Sequence, residues 1–422
     1  MFEQISEVPK HEGKRIALRG WVYRHRAGKD VAFVVLRDSS GIVQCTVKGS
    51  EYAKAKDLLI ESSVALEGVV KRDERAPGGY EVLVDKLDIV HLAERFPITK
   101  DQSKEFLRDV RHLWLRSRQM TAMLKIRSTV FGAIDEYFRT RGYYEYQSPM
   151  FTGTAAEGGS TLFEVDYFGK KAFLSQTWQL YAEAAIFSLE KIYTIAPSFR
   201  AERSSTSRHL TEFWHAEVET AWQSFGELQD QGEGLVSFIV ERVLEKHKPE
   251  LEILEADIKA LERVKPPFPR ITYKEALARL KAAGMDVPYG KDLRTLEERK
   301  ICDMFDRPVI VTHYPKEIKA FYMKQDDDDP DTVRGMDMLV PGVGEIIGGS
   351  EREVDIKELE RKLTSQGEKL DAYQFYLDTR RYGSVPHAGF GLGIDRVVQW
   401  ICGLDSIHEA IAFPRTMERI TP

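Results

Sequence analysis

Between residues 16 and 90 apolar and β-branched residues gather in five short runs, 16–23, 31–37, 42–47, 63–71 and 80–90, separated by turn-forming residues. Each run, short and bounded by turn signals, predicts a strand. Five such strands is the number of an OB-fold barrel. Beyond them the pattern lapses into a polar stretch, 97–104, and a basic one carrying Arg108, Arg111, Arg116 and Arg118, which reads as a hinge. The expected organisation is a barrel domain over 1–95, a hinge over 96–120 and a larger domain over 121–422.

The pattern then changes. Over 122–141 the apolar residues Met123, Ile126, Val130, Phe131, Ile134, Tyr137 and Phe138 recur near every 3.6 positions, predicting an amphipathic helix ended by Gly142. A strand over 143–148 stops at Pro149. Two further strands, 191–202 and 211–222, flank a polar loop, and a helix-rich stretch spans 226–264 before Pro266 and Pro267. Helices mixed with antiparallel strands imply an α+β domain and not a doubly wound sheet. The acidic run 326–329 ahead of Pro330 reads as a solvated loop. No internal repeat is visible.

Composition narrows the class. At 422 residues, 42% hydrophobic and 30% charged, the chain is that of an ordinary globular protein, and no apolar run reaches the roughly 18 residues a membrane helix needs. Its first residues lack the basic-then-apolar pattern of a secretory signal, so a cytoplasmic location and no membrane partner are expected. The three cysteines, Cys45, Cys302 and Cys402, are odd in number and far apart, which supports neither a disulfide framework nor a closely spaced zinc site. A net charge of −6 argues against a generally basic nucleic-acid coat, so any RNA contact must be local.

Three segments carry candidate chemistry. In 199–219, strand alternation puts Arg200 and Glu202 on one face of the first strand and Phe213, His215, Glu217 and Glu219 on one face of the second, opposite Trp214, Ala216 and Val218. Several carboxylates, an arginine and an aromatic ring side by side suit a charged ligand, although a solvated hairpin face would carry the same pattern. In 389–398, Gly389, Gly391 and Gly393 precede a helix whose first turn holds Arg396, where unpaired N–H groups favour phosphate; a glycine turn serving only packing reads the same way. In 344–353, Glu345 and Arg352 surround Gly348 and Gly349, with Asp337 upstream. Two carboxylates completed by phosphate oxygens suit Mg²⁺, and a surface turn is the alternative.

Taken together and in order, these segments resemble motifs 2 and 3 of the class II aminoacyl-tRNA synthetases, aspartyl and asparaginyl subgroup, in a short archaeal-like form. The helix and strand ending at Pro149 look like motif 1, the dimer-forming element of that family. The resemblance covers essentially the whole chain and implies an OB-fold anticodon-binding domain followed by a class II catalytic domain. It implies that Arg200 and Arg396 are catalytic and grip the ATP phosphates, that Glu202 meets the adenine amino group and that Phe213 stacks on the ring. Arg208, His209 and Leu210 would complete the ATP site, Gly393 would lie against the nucleotide, and Glu345 with Asp337 would bind Mg²⁺.

The same resemblance assigns amino-acid contacts to Glu157, Ser160, Gln179, Ala182, Arg200, Glu217, Gly348 and Arg352, and anticodon contacts to Arg26, Phe33 and Gln44. Phe33 as a plain barrel-core residue is the alternative to stacking. Two positions depart from the expected pattern: Trp178 stands where a small residue is expected, and Gly348 where aspartyl relatives often carry serine. The aspartyl relatives also carry lysine where this chain has Ala182 and aspartate where it has Glu217, so asparagine is the expected amino acid. The implied partners are ATP, asparagine, tRNA(Asn) and a second copy of the chain. An aspartyl-tRNA synthetase, or an ATP-dependent asparagine synthetase on the same catalytic fold, remains the alternative. The implied reaction needs no protein nucleophile, which agrees with the lack of a Ser-His or Cys-His pairing among the motifs; His215 and His387 are expected to be structural.

Overall fold

The computed structural model describes residues 1–153, 161–203 and 208–422, so the expected contacts Glu157 and Ser160 lie outside the described residues. Contacts divide the chain into two compact units, Met1–Trp114 and Leu115–Pro422. In the first, β1 (Arg15–Ala27), β2 (Val31–Arg37), β3 (Ile42–Lys48), β4 (Ser63–Arg72) and β5 (Tyr80–His91) close a barrel in the order β1-β2-β3-β5-β4. Burial alternates along the strands: Leu18, Val22, Val34, Leu36, Cys45, Leu66 and Val82 fill one core, joined by Ile5 and Val8 of an N-terminal 3-10 turn. Strand β1 runs four residues past its expected end because a register shift between Val22 and Arg24 breaks the alternation without breaking the pairing to β2.

The stretch expected as a hinge is structured. It holds short helices at Lys104–Asp109 and Arg111–Trp114, the first capped by the Ser103 side chain, and Arg111 is buried. The helix beginning at Arg118 already belongs to the second unit. Charge alone does not distinguish a hinge arginine from a buried one such as Arg111.

In the second unit the chain forms β6 (Tyr144–Glu145), then a small sheet of β7 (Phe151–Thr152), β8 (Glu164–Tyr167) and β9 (Lys170–Leu174). It continues through β10 (Lys191–Phe199), β11 (Glu212–Ala221), β12 (Arg270–Thr272), β13 (Val309–Pro315), β14 (Thr332–Val340), β15 (Gly344–Glu351) and β16 (His387–Gly393). Together with β6 these seven make an eight-stranded sheet, ordered β12-β13-β14-β15-β16-β11-β10-β6. It is antiparallel except at its two edge pairs. The α+β expectation holds. The helix Phe225–Lys246, opened by a Ser224/Glu227 capping box, covers β15 and β16, with Gly232 against Met336, Met338 and Ile347.

Several local expectations shift. The helix expected over 122–141 runs Arg118–Arg139, because Ser117 caps it one turn earlier. The strand expected over 143–148 pairs only through Tyr144 and Glu145. Strand β10 ends at Phe199, so Arg200 and Glu202 lie in the loop beyond it and not on the strand face. Arg200 N still donates to Thr211 O at 3.0 Å as a last rung. The glycine-rich run at 344–353 is a strand inside the sheet and not a surface turn. Within the acidic run, Asp326 is buried and accepts from the backbone N–H groups of Asp328 and Asp329, while Asp327 and Asp328 are exposed. The three cysteines are free and buried, and burial pushes each thiol up to about 12.

Candidate active site

Register builds the site. On β16, Gly389, Gly391 and Gly393 pair with Glu219, Glu217 and His215 of β11. On the other side Gly391 pairs with Gly348 of β15, which pairs with Asp337 of β14. One row across four strands thus reads Asp337, Gly348, Gly391, Glu217, with bare backbone in the middle and a carboxylate at each end. A Cβ at Gly389 would penetrate Glu219 Oε2 and the Val218 carbonyl, so only glycine lets the Glu219 carboxylate lie over β16. The glycine spacing therefore makes a floor, and the polar face of β11 lines a cavity instead of facing solvent.

Two cavities of about 710 and about 690 Å³ meet over this floor and share Arg200, His215, Asp292, Glu345 and Gly391. The first is lined by Gln179, Glu217, Arg352, Gly348 and Asp337 among others. Its wall is rigidly tied. Glu217 accepts from the Thr177 hydroxyl and from Trp178 N at 2.9 Å. Arg352 grips Glu219 through Nε at 3.0 Å and Nη2 at 2.8 Å, and its Nη1 donates to Ser350 Oγ at 2.9 Å. Trp178 is buried, its indole donating to Tyr146 O at 2.8 Å, so the large residue is accommodated as part of the wall.

The second cavity is lined by Glu202, Arg208, His209, Leu210, Phe213, Gly393 and Arg396 together with the shared residues. Arg200 lies with its guanidinium carbon 5.5 Å from the Phe213 ring centre, and Phe213 meets His215 edge-on at 4.7 Å. Arg208 pairs with Glu298 at 2.6 Å. Arg396 stands in the first turn of the helix Ile394–Ile401 and donates to the Glu345 carbonyl at 2.8 Å. The cationic lining has electrostatic consequences. Burial, with Arg200 and Arg396 nearby, pushes His215 down to about 3, so its imidazole is neutral near pH 7. Burial would raise the Glu345 carboxyl, but Arg396, Lys319 and Arg200 reverse the sign and hold it below the usual carboxylate range.

Asp337 and Glu345 fit a divalent cation. A Cβ placed on Gly348 would be 3.0 Å from Glu345 Oε1 and 3.6 Å from Asp337 Oδ1, so both carboxylates converge beside the same bare backbone. Lys319 Nζ lies 2.8 Å from Asp337 Oδ2, and burial with Glu345 nearby pushes the Asp337 carboxyl up against that ion pair.

Every expected ATP contact lines the second cavity, and Gln179, Arg200, Glu217, Gly348 and Arg352 line the first. Ala182 does not. It is fully buried among Trp178, Ile186, Ile192 and Ala221, because its position on the helix Gln179–Leu189 turns it toward β10 and β11. Residues the sequence reading left unassigned include Glu219, Lys319, Asp292 and Glu298. Glu219 shared the alternating face with Glu217 and was legible to that extent; the others come from segments without periodic signal.

On the barrel, Arg26, Phe33 and Gln44 lie on the outer face of β1, β2 and β3, between inward-facing neighbours such as Ala32, Val34 and Cys45. Phe33 lies outside the barrel core, half-buried, with the Arg26 guanidinium 4.9 Å from its ring centre.

Comparison with known proteins agrees with this geometry. Residues 103–417 match the family of class II tRNA synthetases (D, K and N), and residues 16–90 match the OB-fold nucleic acid binding domain. Asparagine–tRNA ligases of Thermoplasma acidophilum, 50% identical with 99% of each chain covered, and of Thermococcus kodakarensis, 50% identical with 98% of each covered, are similar over their whole length. The crystal structure of asparaginyl-tRNA synthetase from Pyrococcus horikoshii complexed with asparaginyl-adenylate superimposes with a TM-score of 0.97 at 47% identity, covering all of both chains. An OB-fold barrel, a glycine floor under paired arginines and carboxylates, and these likenesses over the full length lead to one assignment: the chain belongs to the class II aminoacyl-tRNA synthetases, among the asparagine–tRNA ligases.

Proposed function

We propose that the chain joins asparagine to tRNA(Asn) in two steps at the joined cavities. A carboxylate oxygen of asparagine attacks the α-phosphorus of ATP and pyrophosphate leaves. The 3′-terminal hydroxyl of the tRNA then attacks the adenylate carbonyl carbon and AMP leaves. The observation that carries this reading is the place of Arg200 where the two cavities join, reached by an amino acid from one side and a nucleotide from the other. From there its guanidinium can bridge the amino-acid carboxylate and the α-phosphate, holding nucleophile and electrophile together while neutralising charge that grows in the transition state.

The remaining roles follow from the lining. Phe213 offers a stacking face for adenine and Glu202 an acceptor for its amino group. Arg396, with Arg208 and His209, faces the outer phosphates. A Mg²⁺ ion held by Glu345 and Asp337 would supply charge neutralisation for the phosphates. At the other end, an asparagine amide can donate to Glu217 and accept from Arg352. An aspartate carboxylate would meet Glu217 with like charge, while Arg352 is already neutralised by Glu219. Arg26, Phe33 and Gln44 read the anticodon from the outer barrel face by stacking and edge hydrogen bonds. The chain pairs with a second copy through the helix Arg118–Arg139 and β6, a reading supported by the exposed aromatic Tyr144 on β6 and Phe151 just beyond it. No helix among the described residues is long and apolar enough to cross a membrane.

ATP–pyrophosphate exchange run with each amino acid singly tests the reading. Exchange with asparagine and little with aspartate is expected; equal exchange with both would replace the asparagine assignment with the aspartyl one.

A further inference from the structure

Behind the amino-acid end of the cavity lies a buried cluster that the roles above leave unused. Its centre is Glu183, fully buried one turn beyond Gln179 on the helix Gln179–Leu189. Its Oε1 accepts from Gln179 Nε2 at 2.8 Å and lies 3.9 Å from Arg352 Nε. Its Oε2 accepts from the Tyr376 hydroxyl at 2.8 Å and from Arg380 Nη2, and lies 3.0 Å from His387 Nε2. Gln179 and Arg352 line the cavity; Tyr376, Arg380 and His387 do not. One carboxylate therefore ties two residues that can touch the amino acid to three that anchor them in the core. Glu183, Glu219 and His387 come close enough together to suggest a metal site, but the Arg352 and Arg380 guanidiniums already occupy their carboxylate oxygens.

Burial alone would raise the Glu183 carboxyl; Arg380, His387 and Arg352 reverse this and hold it below the usual carboxylate range, so it is charged. Glu183 and Glu219 thus stand against two guanidiniums, Arg380 and Arg352, and Glu217 lines the same cavity as Arg352. A neutral amide entering this group leaves its charge unchanged. A substrate carboxylate adds a further negative charge beside Glu183 where little solvent screens it.

We propose that Glu183 is a positioning residue for amino-acid selection, holding the Gln179 amide and the Arg352 guanidinium in the orientation that receives asparagine and adding its charge to the exclusion of aspartate. The inference rests on the asparagine reading above. Loss of the anchor frees the Gln179 amide to rotate, and loss of its charge removes a repulsive carboxylate behind the cavity wall. Both changes act on the amino acid and leave the ATP contacts in place.

The test is pyrophosphate exchange by the full-length chain and by Glu183→Gln, with asparagine and with aspartate, alongside Tyr376→Phe, which removes one bond to Glu183 and keeps its charge. Glu183→Gln is expected to raise the KM for asparagine about tenfold or more and to lower the asparagine-to-aspartate ratio by about the same factor, with the KM for ATP unchanged. Tyr376→Phe is expected to raise the asparagine KM several-fold and leave the ratio alone. A folded Glu183→Gln with an unaltered ratio overturns the proposal. Should that variant fail to fold, an unaltered asparagine KM in Tyr376→Phe overturns it instead. Equal use of both amino acids by the unsubstituted chain would defeat the asparagine reading itself, whatever the variants do.

Discussion

Arg396 donates to Glu345 twice, to its backbone carbonyl at 2.8 Å and to its carboxylate at 3.4 Å. The helix that carries Arg396 is thereby fixed to β15, and the guanidinium is aimed into the nucleotide end of the cavity before any ligand arrives. Pre-aimed donors cost little reorganisation during reaction and lose most when removed.

Arg396→Ala should therefore lower pyrophosphate exchange by about 10²-fold or more, the scale of a deleted oxyanion donor, and Arg200→Ala should do at least as much. Near-normal exchange by Arg396→Ala would remove it from the phosphate clamp.

On the barrel, Phe33→Ala should cost about 1 to 3 kcal/mol of tRNA binding, the worth of one stacked base. Because Phe33 lies outside the barrel core, the KM for tRNA should rise while exchange without tRNA is spared. Equal damage to both would show that Phe33 supports the fold.

The burial of Ala182 changes what a lysine there would do. Its surroundings are the apolar side chains of Trp178, Ile186, Ile192 and Ala221, so Ala182→Lys forces an ammonium into an apolar cluster. The expected result is a loss of about 3 to 5 kcal/mol in denaturant unfolding, and no gain of aspartate activation. A folded variant that activates aspartate would return Ala182 to the substrate pocket.

Acid sensitivity is expected at His215. Unfolded, it takes up a proton below about 6.5; folded, burial and the neighbouring arginines push it down to about 3. Between those values the unfolded state binds more protons, so this contribution is complete above pH 6.5 and is lost as the pH falls. The melting temperature of the ligand-free chain should therefore drop less between pH 7 and pH 5 in His215→Asn than in the unsubstituted chain. Parallel declines would mean that His215 is not held neutral.

Much of this was legible in one dimension. Short runs of strand-forming residues bounded by turn signals located all five barrel strands, because each strand must span the barrel wall between two turns. Strand alternation grouped Phe213, His215, Glu217 and Glu219 before any neighbour was known. The resemblance of three short motifs then supplied residues that proved to line one pair of joined cavities. What alternation could not say is what lies opposite. Gly391 matters because register sets it between Glu217 and Gly348, and register is a property of strand pairing and not of either strand. Helix phase kept Gln179 in the cavity and turned Ala182, three residues later, into the core. Glu183 is an acidic residue in an apolar helix whose meaning depends on Arg380 and His387, about two hundred positions away. Composition and periodicity fixed which faces had to be buried, since that follows from each residue's own solvation. Which charges meet inside was decided only by the tertiary structure, since a buried ion pair is stable only when both partners arrive together.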